Sequence, residues 1–404
     1  MYSATRCVIV PAPRSIRCLC SNVLSESEPS HSSQKKNLHE LFRRPKVEEA
    51  LADLFQENDL DTLVEKFKKA SERYRFRCTH NIYGYTVMRL AKANKKSSIE
   101  EILEEQKKYK ATATEGFLIR LISLYGKAGM FDQALNTFKE IPEFNCKWTV
   151  KSFNALLSAC VNSKNCELVS VLFQELSTAL SIVPDVLSYN ILMFSLGKIG
   201  SLDSAFSMLE EMRQKGVDPS IVTFNTLLNA FYGEGKCEDA EKIWEIMEKR
   251  GCKPETTTYN AKIRWLVAEG RTMEANDLLG ELGSKGLKPD AFSFNCVMKG
   301  FYNHGDLEEV KRIYREMRDN GCLPNRTTYE MLIRLLCKAK DLKMAAELCE
   351  EGLRAGCSIG AGIVQEVVDE LIEDSKVERA KNIVELGSSK RYLRESLKMP
   401  AEEV

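Results

Sequence analysis

The chain has 404 residues, 44% of them apolar and 29% charged, which makes it too rich in core-forming side chains for disorder and too long for one compact core. Lysine plus arginine and aspartate plus glutamate balance at 58 each, which argues against a uniformly basic nucleic-acid binder and leaves the distribution of charge to decide. No apolar run approaches the length of about 18 residues that a membrane-spanning helix needs, so no membrane partner is expected.

The first 25 residues carry Arg6, Arg14, Arg17 and several serines, with no acid before Glu26. That is the composition of an organellar transit peptide, so residues 1–44 are expected to be a targeting segment and a disordered linker. "RCLCS" from Arg17 sets an arginine shortly before a cleavage point, which favours a mitochondrial over a chloroplast destination.

From Pro45 onward the sequence repeats. Contiguous repeats begin at Pro45, His80, Glu115, Val150, Val186, Ile221, Thr256, Ala291, Arg326 and Ala361, each 35 residues on from the last except for one step of 36 after Val150. A fixed period of this length predicts an all-α solenoid, a superhelix of about ten helix-turn-helix repeats over residues 45–386 with one continuous core and a tail at 387–404. In the Val186 repeat, Tyr189, Leu192, Met193 and Leu196 form one apolar stripe, and Leu202, Ala205, Leu209 and Met212 form a second after Gly200. The twentieth slot, where a small residue suits a close helix crossing, reads Ala134, Ala205, Ala240, Ala275, Ala345 and Ala380. Gly216 followed by Pro219 marks a left-handed cap and a stop, repeated as Gly251/Pro254, Gly286/Pro289 and Gly321/Pro324.

Positions 2, 5, 9 and 12 or 13 of each first helix should line a stripe beside the packed one. Position 5 is Asn154, Asn190, Asn225, Asn260 and Asn295 in five successive repeats, although asparagine is a poor interior helix residue. An amide recurring at constant rise suits a linear polymer; local satisfaction of backbone groups is the plainer account. Position 9 supplies Arg264, Lys299 and Arg334, and position 13 supplies Lys92, Lys127, Lys198 and Lys338. Over positions 1 to 16 of the eight repeats from His80 to Arg326 there are seventeen Lys or Arg against six Asp or Glu. The second helices must carry the compensating acids. A positive face opposite a negative one suits a polyanion.

The fourteen cysteines form no C-x-x-C, and the four histidines have no metal-ligand spacing, so neither a metal nor a cofactor is expected. Cys252, Cys322 and Cys357 share a slot with Val217 and Leu287, which reads as reduced packing thiols. No His-x-Glu deaminase motif and no Walker loop occurs, and binding rather than catalysis is the expectation.

The 35-residue period, the "TYN" or "SFN" openings, the "GKAG" joint at Gly126 and the G-x-x-P-D endings resemble P-class pentatricopeptide repeats, most closely from Val150 to Asn325. The resemblance implies an organellar single-stranded RNA-binding protein, acting in RNA stabilisation, processing or translation, with messenger or ribosomal RNA rather than DNA as partner. It further implies that residues 5 and 35 of a repeat read one base. Carried onto this chain, the pairs are Asn154 with Asp185, Asn190 with Ser220, Asn225 with Glu255, Asn260 with Asp290 and Asn295 with Asn325. The implied order is U, C or U, any, U, C or U. Leu187, Val222 and Phe292 fit the base-sandwiching slot, while Lys151, Thr257 and Thr327 fit it less well. Gly84/Thr114, Ile119/Thr149 and Glu330/Gly360 depart from the reading pairs. The family's phosphate-contacting lysine at position 13 is kept in four repeats. The short length and poorly coded ends also resemble small mitochondrial members associated with ribosomes, which would make the chain a structural component meeting rRNA or ribosomal proteins.

Overall fold

The computed structural model describes residues 45–77, 79–109, 114–390, 393, 397 and 398. The expected targeting segment at 1–44 lies outside them. The described residues are helical throughout, and the first helix of each repeat starts at the residue the period marks: Val150–Asn162, Val186–Lys198, Ile221–Gly233, Thr256–Ala268, Ala291–His304, Arg326–Lys338 and Ala361–Glu373 among them. Each is followed by an antiparallel second helix, such as Leu202–Gln214 or Thr272–Ser284. The chain is an all-α solenoid of helical hairpins.

Two compact blocks of consecutive hairpins are present, with the boundary between Val217 and Asp218. Each block buries apolar side chains of its own hairpins. In the first, Tyr189, Leu192, Met193 and Leu196 are buried against Leu202, Ala205, Leu209 and Met212. In the second, Phe224, Leu227 and Leu228 meet Ala240, Ile243 and Met247 within one repeat, and Phe294, Val297 and Met298 meet Val310, Ile313 and Met317 in another. The alanines of the twentieth slot are fully buried in both blocks. Removing these stripes from water is the main stabilising term, since a single hairpin cannot cover its own apolar face.

The turns follow their chemistry. Gly216, Gly251, Gly286 and Gly321 have φ of 73, 72, 71 and 64°, the left-handed region that a side chain with a Cβ disfavours. Gly126 serves a different need. A Cβ there would lie 2.5 Å from the Cα of Ala159, so glycine permits backbone-to-backbone approach between the first helices of the Glu115 and Val150 repeats. At the other end, the last helix runs Val377–Ser388, two residues into the expected tail. Leu393 is buried, and the Lys398 N–H donates to Gln365 Oε1 at 2.9 Å, so part of that tail covers the final hairpin.

Candidate nucleic-acid interface

Residue 35 of a repeat is the N-cap of the next repeat's first helix, and residue 3 of that helix answers it. Asp185 Oδ1 accepts from the Ser188 N–H at 2.9 Å while Ser188 Oγ accepts from the Asp185 N–H at 3.1 Å. Asp290 with Ser293 and Asn325 with Thr328 repeat this reciprocal box. Such boxes satisfy amide donors that a helix start otherwise leaves unpaired.

The position-5 asparagine of the preceding repeat reaches into the box. Asn154 Nδ2 donates to Asp185 Oδ1 at 2.9 Å, and its Oδ1 accepts from Ser188 Oγ at 2.6 Å. Asn260 does the same with Asp290 at 3.2 Å and Ser293 at 2.6 Å. Asn295 does so with Asn325 at 3.2 Å and Thr328 at 2.8 Å. Three of the residue pairs read from the sequence are thus brought together by direct hydrogen bonds. The fully buried Ser188, Ser293 and Thr328 complete them; sequence reasoning passed over these, although Ser or Thr recurs at position 3 in every repeat from Val150 to Arg326.

The asparagines do not stand on an open stripe as expected. Asn154, Asn190 and Asn260 are only 4, 2 and 6% exposed, and Asn225 and Asn295 are half-buried. The capping box draws them inward, into a polar seam between repeats rather than into the hydrophobic core. What remains accessible is the rim: Asp185, Glu255 and Asp290 are exposed, and Ser220 and Asn325 half-buried. Asn190 Oδ1 and Asn225 Oδ1 have no hydrogen-bond partner. Asn225 Nδ2 donates to Thr257 Oγ1 at 3.1 Å rather than to Glu255, while Ser220 caps its own helix through Thr223.

At the neighbouring position 2, Val222 and Phe292 are 36 and 38% exposed and Leu187 is half-buried. Apolar side chains left in water at one repeated helical position are available to stack against a ligand. Lys92, Lys127, Lys198, Lys299, Arg334 and Lys338 are exposed and make no ion pair among the described residues. Lys127, Lys198 and Lys338 sit in last helical turns, where the helix dipole favours a cation. Arg264 differs from the other position-9 cations. It is half-buried and its Nη2 donates to Asn229 Oδ1 at 2.8 Å; burial lowers its pKa from the usual guanidinium value. It holds adjacent repeats together as much as it offers charge outward. Other first-helix cations are neutralised, Lys262 by Glu241 at 2.8 Å and Arg326 by Glu330 at 2.9 Å, so the polarisation read from the sequence is weaker in three dimensions.

A helical-hairpin solenoid whose repeats meet through paired amide and carboxylate tips defines the class of protein. Family comparison gives the particular one. The PPR repeat family matches residues 254–303 and 289–338, the pentatricopeptide repeat domain matches 118–163, 171–234 and 207–268, and the PPR repeat matches 151–178 and 327–357. The chain belongs to the pentatricopeptide repeat family. Among its relatives in Arabidopsis thaliana, small ribosomal subunit protein mS79 (rPPR3b) is 50% identical over 161 residues, 40% of this chain and 41% of the relative. Small ribosomal subunit protein mS78 (rPPR3a) is 52% identical over 155 residues, 38% and 39% of the two chains. The matched segment thus spans about two-fifths of each relative. A mitochondrial pentatricopeptide repeat-containing protein is 36% identical over 177 residues, covering 43% of this chain and 44% of its own. Among solved structures, the maize pentatricopeptide repeat protein PPR10 aligns with 95% of this chain and 54% of its own at 21% identity and a TM-score of 0.48.

Proposed function

We propose that the chain is a mitochondrial, non-catalytic protein that binds single-stranded RNA along its first-helix faces. The observation that carries this reading is the repeated pairing of residue 5 with residue 35 at the rim of the polar seam. In the Asn154/Asp185 and Asn260/Asp290 pairs one carboxylate oxygen serves the box, leaving the second oxygen to accept from the imino group of a base and the asparagine amide to donate through its other hydrogen. A uracil edge offers that donor beside an acceptor. Phe292 and Val222 supply apolar surface for stacking, and the unpaired lysines supply phosphate contacts. The four pairs that imply a preference, each contributing about 1–3 kcal/mol of base discrimination, favour short pyrimidine-rich segments over a unique long address.

A second reading is favoured by the identity of about half the aligned residues with two small ribosomal subunit proteins: the chain holds RNA as a fixed component of a ribosomal subunit. One experiment serves both. Crosslinking in isolated mitochondria, followed by sequencing of the bound RNA, should recover pyrimidine-rich single strands. Ribosomal RNA, with co-sedimentation at a subunit peak that survives mild nuclease, supports the second reading; messenger segments with free sedimentation support a transcript adaptor. Recovery of no RNA above background refutes both.

A further inference from the structure

The second helix of the Val150 repeat, Cys166–Ala179, departs from its counterparts on the side that faces water. Leu168 and Val171, at positions 19 and 22 of the repeat, are 45 and 47% exposed. At position 22 every other repeat from His80 to Ala361 carries a polar or charged residue, such as Asn136, Ser207, Lys242 and Asp277. Neighbouring second helices meet through these positions. Gln133 at position 19 donates to Glu100 at position 21 of the preceding repeat at 3.4 Å, and Arg312 at position 22 donates to Asn276 at position 21 at 3.0 Å. The same register sets half-buried Leu135 beside Leu168 and Val171, so apolar side chains stand where other repeats place a polar contact. Single aliphatic side chains on a surface need no explanation, but a contiguous set on two adjacent helices marks a face that another molecule covers.

Carboxylates frame this face. The helices Phe131–Lys139, Cys166–Ala179 and Leu202–Gln214 hold six acids against two cations, Lys139 and Arg213, and the middle helix has no lysine or arginine. Asp132, Glu167, Glu175 and Asp203 are exposed and make no ion pair among the described residues. That frame decides the occupant. RNA and anionic lipid are repelled, and a second copy of this chain would set carboxylates against carboxylates across the contact. An amphipathic helix whose apolar stripe is flanked by lysine or arginine matches both the centre and the rim.

We infer that the outer face around Leu168 and Val171 docks a basic amphipathic helix of another protein. The surface lies on second helices of the first block, apart from the Asn154/Asp185 seam on the first helices, so one molecule can hold RNA and this partner at once.

The test uses the full chain and a fluorescein-labelled peptide of leucine and lysine, with its leucines at i, i+3, i+4 and i+7, titrated by fluorescence anisotropy. A peptide of the same composition with its leucines scattered is the control. Leu168→Gln with Val171→Asn installs the side chains that the Glu115 repeat carries at these positions, Gln133 and Asn136, so the fold accommodates them. The change should weaken binding of the amphipathic peptide about tenfold, as expected when two half-exposed aliphatic side chains are no longer taken from water. Glu167→Gln with Glu175→Gln should weaken it about threefold and flatten its salt dependence. A fluorescein-labelled uridine oligonucleotide should bind wild type and both variants alike. Equal peptide affinity in wild type and the Leu168/Val171 variant, equal binding of the scattered peptide, or a dimer in sedimentation velocity that the Leu168/Val171 change abolishes, overturns the inference. A wild-type chain that takes the peptide but not the oligonucleotide overturns the RNA reading and leaves this one standing.

Discussion

Replacing Asn260 by alanine tests whether the amide in the seam is structural as well as recognitional. The change removes the bond from Asn260 Nδ2 to Asp290 Oδ1 and the one from Ser293 Oγ to Asn260 Oδ1. Ser293 is fully buried but keeps Asp290 Oδ1 at 2.9 Å as a second acceptor, so its hydroxyl is not orphaned. Two bonds at roughly 1 kcal/mol each give an expected loss of about 2 kcal/mol. Asn225→Ala is the internal control. That amide makes one exposed side-chain bond at 3.1 Å and has an unpartnered Oδ1, so its removal should cost less than about 0.5 kcal/mol. Urea unfolding followed by far-ultraviolet circular dichroism should therefore separate the two variants in midpoint at a common slope. Adding Ser293→Ala to Asn260→Ala should cost less than the sum of the single changes, because both act on one network. Equal destabilisation by Asn260→Ala and Asn225→Ala, or strict additivity with Ser293→Ala, refutes the shared box.

Gly126→Ala would press a methyl group to 2.5 Å from Ala159 Cα and should cost at least about 1–3 kcal/mol. Gly233→Ala, with no atom within 4 Å of the added carbon, should be neutral or stabilise by up to about 1 kcal/mol; thermal unfolding measures both. Lys198→Ala and Lys338→Ala should each weaken oligouridine binding at every sequence and lower the slope of log affinity against log salt by about 1, and an unchanged slope would remove that lysine from the phosphate contacts. Burial raises the thiols of Cys160, Cys296, Cys337 and Cys349 to about 12, so at pH 8 only about one in ten thousand is thiolate, and alkylation of the folded chain should spare them. Because burial disfavours the ionised form, these thiols contribute no penalty below the free-thiol range and erode stability as pH rises above about 8.5, which a pH series of unfolding midpoints should show.

Repeat boundaries were legible because helix starts, left-handed glycines and buried alanines are local requirements that recur at fixed spacing. The block boundary between Val217 and Asp218 was not, because the sequence keeps its period there. At the site, the pairing of residues 5 and 35 was reached through family resemblance, and the structure supplies its geometry. The burial of Asn154 and Asn260 was missed because helix periodicity places position 5 beside the packed stripe but is blind to the N-cap of the following helix. Ser or Thr at position 3 is the signal that could have shown it, since a residue of that kind three places after Asp or Asn marks a capping box. The Arg264 bond to Asn229, at the same position of the preceding repeat, was not legible for a similar reason: only stacking creates that contact.

The same box ties specificity to stability. Residue 35 is at once a helix cap, an asparagine's partner and, on the proposed reading, the rim group that meets a base, so exchanging it alters all three. Where it is Asp290 or Asn325, the position-5 amide is stapled on both sides. With Glu255, one methylene longer, the staple is absent, and Asn225 is left with an unpartnered carbonyl and a bond to exposed Thr257. On the proposed RNA reading, the stapled repeats present a fixed donor and acceptor and are expected to gain selectivity through preorganisation. On the same reading, the Ile221 repeat must order its amide when a base arrives and is expected to discriminate less. The amides of Asn154, Asn260 and Asn295 are thus held on both sides, whereas Asn190, followed by the shorter Ser220, and Asn225, followed by the longer Glu255, each keep an unpartnered carbonyl.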